Sequence, residues 1–149
     1  KLVVQERNRN TGRVAVGLVQ GLGLKCGALG ASVAHDAHPF IVAGADDPSI
    51  LRALTWLREN GGGLVACCQD RILAALPLPI AGLMSDQPLP EVTAALREVD
   101  SAALKLGITG THPCMALSFL SLSVIPSLKL TDWGYVDLGR GGIQERFRN

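Results

Sequence analysis

The residue types best suited to chemistry are concentrated in residues 32–38, where His35, Asp36 and His38 lie close together. Imidazole nitrogens and carboxylate oxygens are ordinary ligands for divalent metals, and a histidine beside an aspartate is a typical acid–base pair. Two histidines three positions apart share a face only on a helix, however, and Pro39 pushes His38 toward an extended backbone. From the residues alone, a metal ligand set, a contribution to a substrate site and a polar turn stabilised by Asp36 all stay open.

A second polar pair, Ser85 and Asp86, lies in a loop rich in proline and glycine. Ser85 lacks the GxSxG elbow of a hydrolase nucleophile, which favours a turn or a helix-entry role. The glycines of residues 21–27 depart from the GxGxxG spacing of phosphate-binding loops, so we expect them to bend the backbone. His112 precedes a proline in a turn and is expected at the surface. On the residues alone, no complete active site is visible, and we assign no catalytic residue, no metal ligand and no cofactor to this chain.

The composition is that of one folded domain. Of its 149 residues, 48% are hydrophobic and 18% are charged, so the chain can bury a core. A net charge of +1 and an aromatic content of 4% argue against nucleic acid as a partner. No apolar run reaches the roughly eighteen residues of a membrane-spanning helix, so we expect no membrane partner.

The four cysteines are Cys26, Cys67, Cys68 and Cys114, and no two of them form a CxxC pair. The usual zinc and redox spacings are therefore absent. We expect reduced, mostly buried thiols in a cytoplasmic protein. Cys67 and Cys68 are adjacent in a predicted strand and should point to opposite faces of a sheet.

Short apolar segments separated by turn residues predict a series of strands that hold these side chains in place. The strands cover residues 2–4, 14–19, 31–34, 40–43, 64–68 and 71–76. The connections before the first helix are too short for parallel crossovers. We therefore expect a largely antiparallel or mixed sheet.

Two main helices are predicted to cover this sheet. The first is capped by Asp46 or Asp47, carries Pro48 in its first turn and ends at the glycines of residues 61–63. The second covers about residues 90–106, with apolar side chains at helical spacing. Strands interleaved with two helices predict an α+β (mixed α/β) fold.

The remaining segments are less regular. Residues 118–124 alternate serine with apolar residues, a pattern typical of a strand, and Pro126 ends it. Residues 128–137 form the last predicted ordered stretch. We assign residues 1–138 to one domain and the rest, 139–149, to a flexible tail.

Four segments together resemble a known family. They read TGRVAVGLVQGLGLKCGALGASVAHDAHPFIVAG (11–44), NGGGLV (60–65), LPLPIAGLMSD (76–86) and SFLSLSVIPSLKLTDWGYVD (118–137). In order and spacing they are similar to the C-terminal domain of bacterial-type adenine deaminase, a member of the metal-dependent amidohydrolase superfamily. The similarity covers nearly the whole chain, residues 1–138.

The resemblance implies a parent enzyme with an N-terminal amidohydrolase barrel, which takes on the order of 250 residues and does not fit in this chain. That hydrolase would convert its purine substrate, adenine, to hypoxanthine and ammonia, with a divalent metal (Mn, Fe or Zn) in the barrel activating water to attack C6. The barrel's HxH metal motif has no counterpart here. The isolated chain should therefore hold no metal and be inactive.

The resemblance carries over to this chain at two places. His35, Asp36 and His38 match the family's VAHDxH positions, and Ser85 and Asp86 match its GLMSD loop. We expect these residues to border the purine site or a subunit contact in a homo-oligomer.

A second interpretation belongs to a different class of protein. The chain would be a non-catalytic structural or oligomerisation module that packs against a partner domain and touches no substrate. A free-standing metal protein using His35, Asp36 and His38 ranks third.

Overall fold

The computed structural model describes residues 1–35 and 37–144, so that Asp36 and residues 145–149 lie outside the described part of the chain. The elements follow in this order: β1 (Leu2–Gln5), β2 (Val14–Gly17), β3 (Ala28–Ala31), β4 (Phe40–Gly44), α1 (Asp47–Glu59), β5 (Gly63–Cys68), β6 (Arg71–Pro77), α2 (Leu89–Lys105), α3 (Pro113–Ser118), β7 (Leu128–Thr131), β8 (Gly134–Asp137) and β9 (Gly142–Gln144). Within residues 1–35 and 37–144, no helix is long and apolar enough to cross a membrane.

A six-stranded sheet forms the centre of the molecule, with the strand order β2-β1-β4-β3-β5-β6. Each of its neighbouring pairs is antiparallel, from Leu2 opposite Gly17 in the first hairpin to Cys68 opposite Arg71 in the last. Antiparallel strands accept short connections, whereas parallel strands need long crossovers. The predicted α+β fold with a largely antiparallel sheet is confirmed.

The two long helices cover opposite faces of this sheet, because neighbouring strand residues point to opposite sides. Val3, Val42 and Val65 pack with the buried side of α1. The alternate residues, such as Val4 and Ile41, form a larger core with α2, α3 and the chain that follows. The result is a three-layer arrangement with a core on each side of the sheet.

The start and end of α1 follow from local chemistry. The Asp46 carboxylate accepts a hydrogen bond from the Ser49 N–H at 2.8 Å, and Pro48 lies in the first turn. After Asn60, the chain reverses at Gly61, whose φ of 69° lies in the left-handed region that favours glycine. The predicted limits of this helix are confirmed.

A second, three-stranded sheet of order β7-β8-β9 packs beside β1 and β2. The Tyr135 hydroxyl accepts a hydrogen bond from the Leu18 N–H at 2.8 Å, and Leu130 is buried. Gly17 makes this approach possible, because a Cβ there would lie 2.5 Å from the Tyr135 hydroxyl oxygen.

The structure corrects two predicted elements. β3 ends at Ala31, whereas the predicted strand covered residues 31–34. The chain leaves the sheet at Ser32, whose hydroxyl forms hydrogen bonds with the backbone of Gly63 and Gly82. Residues 118–124 are not a strand: α3 ends at Ser118 and a 3-10 turn, Phe119–Ser121, follows. The Ser118 hydroxyl donates to the Met115 carbonyl at 2.7 Å, so this serine supports a helical turn.

The last strand and the exposure of the cysteines bear on two further predictions. Of the predicted tail, 139–149, Gly142–Gln144 pairs with β8 and residues 145–149 lie outside the described residues. The division into domain and tail stays a prediction. Cys67 and Cys114 are buried, Cys68 is half-buried and Cys26 is exposed, where we expected mostly buried thiols. Cys67 and Cys68 contact opposite cores, as predicted.

Candidate functional site

Residues 32–38 are here called the histidine loop, and its described residues are held in place mainly through their backbone. Three side chains donate to backbone carbonyls in the described part of this loop. The Ser121 hydroxyl donates to His35 O at 3.2 Å, Asn8 Nδ2 to Ala37 O at 2.8 Å, and Arg7 Nε to His38 O at 2.6 Å. Because these contacts use carbonyl groups, they hold the described residues of the loop without a hydrogen bond to the imidazole of His35.

The two imidazoles of the loop lie near each other in an edge-to-face arrangement. Their ring centroids are 6.0 Å apart at 67°, and the His35 ring lies 5.5 Å from that of Phe119. His35 is exposed, whereas His38 is half-buried. His38 Nδ1 accepts a hydrogen bond from the Ala34 N–H at 3.3 Å.

His38 does not have the extended backbone that Pro39 led us to expect. Its φ is 48°, in the left-handed region, and its N–H donates to Ala34 O at 2.8 Å. Histidine is enriched in this region among the non-glycine residues. The turn closed by the Ala34 carbonyl therefore overrides the preference set by the following proline.

No metal-binding group is found in the described part of the chain. Among residues 1–35 and 37–144, no three His, Cys, Asp or Glu side chains are arranged to hold an ion. The proposed ligand candidate Asp36 lies outside those residues. The described side chains therefore give no fit for a catalytic metal.

Ser85 and Asp86 lie in residues 78–87, here called the proline–glycine loop. The loop is closed by a bridge between Ile80 and Met84. The Ser85 hydroxyl accepts from the Gln87 N–H, and Asp86 Oδ1 accepts from Gln87 Nε2, both at 3.1 Å. Both side chains line a cavity of about 350 Å³ against the first turns of α2. These contacts fit the turn role expected for Ser85.

Arg7 connects the two loops, and sequence reasoning missed it. Besides its bond to His38 O, its Nη2 donates to Ala81 O at 2.7 Å, and its guanidinium lies 5.8 Å from the centroid of the Phe40 ring. Burial lowers the pKa of Arg7. A Cβ at Gly82 would lie 2.7 Å from Arg7 Nη1, so glycine leaves room for the guanidinium.

Ser32 makes a second, buried connection between the loops. Its hydroxyl donates to Gly82 O at 2.6 Å and accepts from the Gly63 N–H at 2.7 Å. The only sequence signal for this role is a serine in an otherwise apolar run. Within the described residues, Arg7 and Ser32 bring the loops together through the backbone, and the side chains of His35 and Ser85 take no part.

The turn before β2 depends on a carboxylate that is ionised down to low pH. Glu6 accepts hydrogen bonds from the N–H of Thr11 and of Arg9 and from the Thr11 hydroxyl. The Thr11 N–H is the largest cause that lowers the pKa of Glu6 to about 2. Since the folded-state pKa is depressed, the stabilisation is present above the ordinary value of 4.5 and is lost as the pH falls through about 2.

We therefore expect Glu6→Gln to lower the free energy of unfolding at pH 7 and to have progressively less effect below pH 4.5, the ordinary pKa of this carboxyl. Urea denaturation at several pH values measures this. Glu59→Gln, at the exposed end of α1, is the control and should change little. A Glu6→Gln effect of equal size at pH 7 and pH 2 would contradict the assignment.

A third feature lies beside the histidine loop. The Arg13 guanidinium is stacked 4.1 Å from the centroid of the Trp133 ring and pairs with Asp132 at 2.8 Å. Trp133 is nevertheless 62% exposed. An ordered aromatic side chain that stays open to solvent is typical of a contact surface.

The geometry defines an α+β domain in which the described parts of two loops are held beside each other, and no group of three metal-ligating side chains occurs among the described residues. The comparisons with known proteins give the family. The chain belongs to the adenine deaminase C-terminal domain family, which matches residues 1–141.

Curated relatives carry the same description. The chain is 54% identical over 138 residues to an adenine deaminase of Oleidesulfovibrio alaskensis, 50% identical over 139 residues to adenine deaminase 2 of Carboxydothermus hydrogenoformans, and 44% identical over 141 residues to an adenine deaminase of Geobacillus kaustophilus. These alignments cover 93% or 94% of the chain and 24% of each relative. The chain thus spans about a quarter of the length of these relatives.

Proposed function

We propose that this chain is the C-terminal part of an enzyme that hydrolyses adenine to hypoxanthine and ammonia. The supporting observation is that relatives named adenine deaminase align with 93% of the chain, one of them at 54% identity. A divalent metal such as Mn, Fe or Zn, bound by the N-terminal amidohydrolase barrel of the same parent, would supply activated water at neutral pH. The parent would be a cytoplasmic homo-oligomer, and this chain would be inactive alone.

The role proposed for this chain is to position groups at the edge of the barrel. The histidine loop and the proline–glycine loop lie side by side, and exposed apolar side chains surround them. Met84, Met115 and Trp133 are 58%, 57% and 62% exposed. Large exposed apolar side chains mark protein contacts. We propose that this surface packs on the barrel, with His35, Asp36, His38, Ser85 and Asp86 at its border.

His35→Ala in the full-length parent tests this role. Loss of one hydrogen bond to the substrate or to the barrel costs about 0.5–1.5 kcal/mol, so we expect kcat/KM for adenine to fall about threefold to tenfold. The metal content should be unchanged, because no metal role is assigned to His35. Glu59→Ala, at the exposed end of α1, is the control and should match the wild type. Unchanged turnover in His35→Ala would refute the role.

The alternative function is a structural or oligomerisation module that packs against a partner domain. The same exposed apolar side chains favour it. The two functions predict different results. Under the alternative, His35→Ala would leave both kcat and KM unchanged. Met84→Glu together with Met115→Glu would change the mass of the parent measured by light scattering.

A further inference from the structure

We propose that Cys26 and Cys68 form a redox-active thiol pair, which closes to a disulfide when a small disulfide such as oxidised glutathione is the oxidant. The two residues lie in different segments, Cys26 just before β3 and Cys68 at the end of β5. Neither belongs to the histidine loop or to the proline–glycine loop. The pair is therefore a modification site beyond the proposed hydrolysis of adenine, and it does not depend on that function.

The backbone brings the two segments together. β3 and β5 are antiparallel neighbours, and Ala28 lies opposite Cys67. Opposite residues in such a pair have Cα atoms about 4.5–5.5 Å apart, a separation that a disulfide can span. Gly27 has a left-handed φ of 69°, and a Cβ on it would collide with the Cys67 carbonyl oxygen. The chain therefore turns in close contact with the end of β5, one residue from Cys26.

The side chains of Cys26 and Cys68 interact. Partial burial raises the pKa of the Cys68 thiol, the charge of Cys26 and a hydrogen bond with its thiol raise it further, and Arg71 acts to lower it. A hydrogen bond between two thiols places their sulfur atoms side by side. Cys26 is exposed and Cys68 is half-buried. An oxidant therefore meets Cys26 first, with Cys68 beside it as the resolving thiol.

The other two cysteines do not compete for this reaction. Cys67 contacts the opposite core, its thiol donates to Ser49 O at 3.2 Å, and burial raises its pKa to about 11. Cys114 is buried as well, and burial raises its pKa to about 12. The thiolate is the attacking form of cysteine, so both residues stay unreactive at neutral pH.

The disulfide forms by two thiol–disulfide exchanges. The Cys26 thiolate attacks one sulfur of oxidised glutathione, which forms a mixed disulfide on Cys26 and releases one glutathione thiolate. The Cys68 thiolate then attacks Cys26 Sγ, which breaks the mixed disulfide and releases the second glutathione thiolate. The protons of the two protein thiols end on the two glutathiones. The protein loses two electrons, and oxidised glutathione gains them.

The new bond would fasten the glycine-rich residues 18–27 to the central sheet. These residues hold the end of α2, because the Lys25 N–H donates to Leu106 O at 2.9 Å and the Thr109 N–H donates to Leu22 O at 3.0 Å. A disulfide between residues 26 and 68 closes a long loop and reduces the conformational entropy of the unfolded chain. We expect the oxidised chain to unfold at a temperature about 5–15 °C higher than the reduced chain.

Mass spectrometry after treatment of the folded 149-residue chain with oxidised glutathione tests the pairing. Trypsin cleaves after lysine and arginine, so the wild type should give peptides 26–52 and 59–71 joined by a disulfide. The chain should lose two of its four free thiols, and dithiothreitol should restore both. A wild type that stays unmodified, or that keeps glutathione on Cys26 without joining the peptides, would overturn the proposal.

Single variants identify the two partners. Cys68→Ser should stop after the first exchange and keep one glutathione on Cys26, whereas Cys26→Ser should give neither the adduct nor the joined peptides. Cys67→Ser is the matched control, because serine keeps a donor for Ser49 O, and it should form the disulfide like the wild type. Joined peptides in Cys68→Ser would assign the bond to Cys67 and refute the pair. Equal unfolding temperatures of the oxidised and reduced chains would refute the fastening of residues 18–27.

Discussion

Replacing Leu57 by alanine is expected to lower the free energy of unfolding by about 2–5 kcal/mol. Leu57 is fully buried on the inner side of α1. It lies over Gly30, where a Cβ would be 3.1 Å from Leu57 Cδ1 and 3.2 Å from the side chains of Val42 and Val65. Gly30 has no side chain that could move into the space, and its backbone is fixed by strands on both sides. The cavity should therefore persist, which puts the loss toward the upper end of that range.

Urea denaturation of the variant and of a matched control measures this effect. Leu51→Ala removes the same atoms from the same helix, but Leu51 is 63% exposed. Its unfolding free energy should change by no more than about 0.5 kcal/mol. If both variants lost the same amount, helix propensity rather than packing against the sheet would be the cause, and the described core beneath α1 would be wrong.

The parts of the fold that depend on neighbouring residues were predictable from the sequence. The cap by Asp46, the early proline and the glycine after Asn60 each act within a few residues, so they mark the limits of α1 directly. The antiparallel sheet also follows from local information, because short connections exclude parallel crossovers. Its strand order does not follow in this way: β1 lies between β2 and β4, and β3 lies between β4 and β5.

Residues 118–124 show why periodicity fails over short segments. An alternation of serine and leucine fits a strand, but one buried position in three or four also fits a helical turn. Tertiary contacts decide between them. Leu117 and Ser121 are buried, and the Ser121 hydroxyl reaches the carbonyl of His35, a residue 86 positions away. No pattern among neighbouring residues of the sequence predicts that contact.

The candidate site was likewise predictable from the sequence only in part. The clustering of His35 and His38 is visible in the sequence, because they are chemically distinctive residues in an apolar stretch. The left-handed backbone of His38 is not visible, because Pro39 predicts an extended backbone and the turn closed by the Ala34 carbonyl overrides that preference. The role of Arg7 is not visible either, since it depends on carbonyl groups far along the chain. Arginines at the end of a strand are common, and only the fold distinguishes this one.

Replacing Arg7 by alanine should therefore have the largest effect on the two loops together. Its side chain spans His38 O and Ala81 O, at sequence separations of 31 and 74 residues. Hydrogen bonds from a charged donor contribute about 1.5–3 kcal/mol, less where they are exposed, so we expect a loss of about 2–3 kcal/mol in unfolding free energy. In the full-length parent, displaced loops should lower kcat/KM for adenine by about tenfold to a hundredfold.

Arg7→Lys and Arg9→Ala separate geometry from charge. Lysine keeps the positive charge but presents a single ammonium in place of the planar guanidinium, so it can satisfy one carbonyl well and not both. It should recover only part of the lost stability and activity. Arg9 is exposed two positions away, and Arg9→Ala should behave like the wild type. Full recovery of stability and activity by Arg7→Lys would mean that charge alone matters. If Arg7→Ala behaved like the wild type, Ser32, which donates to Gly82 O, would hold the loops together without Arg7.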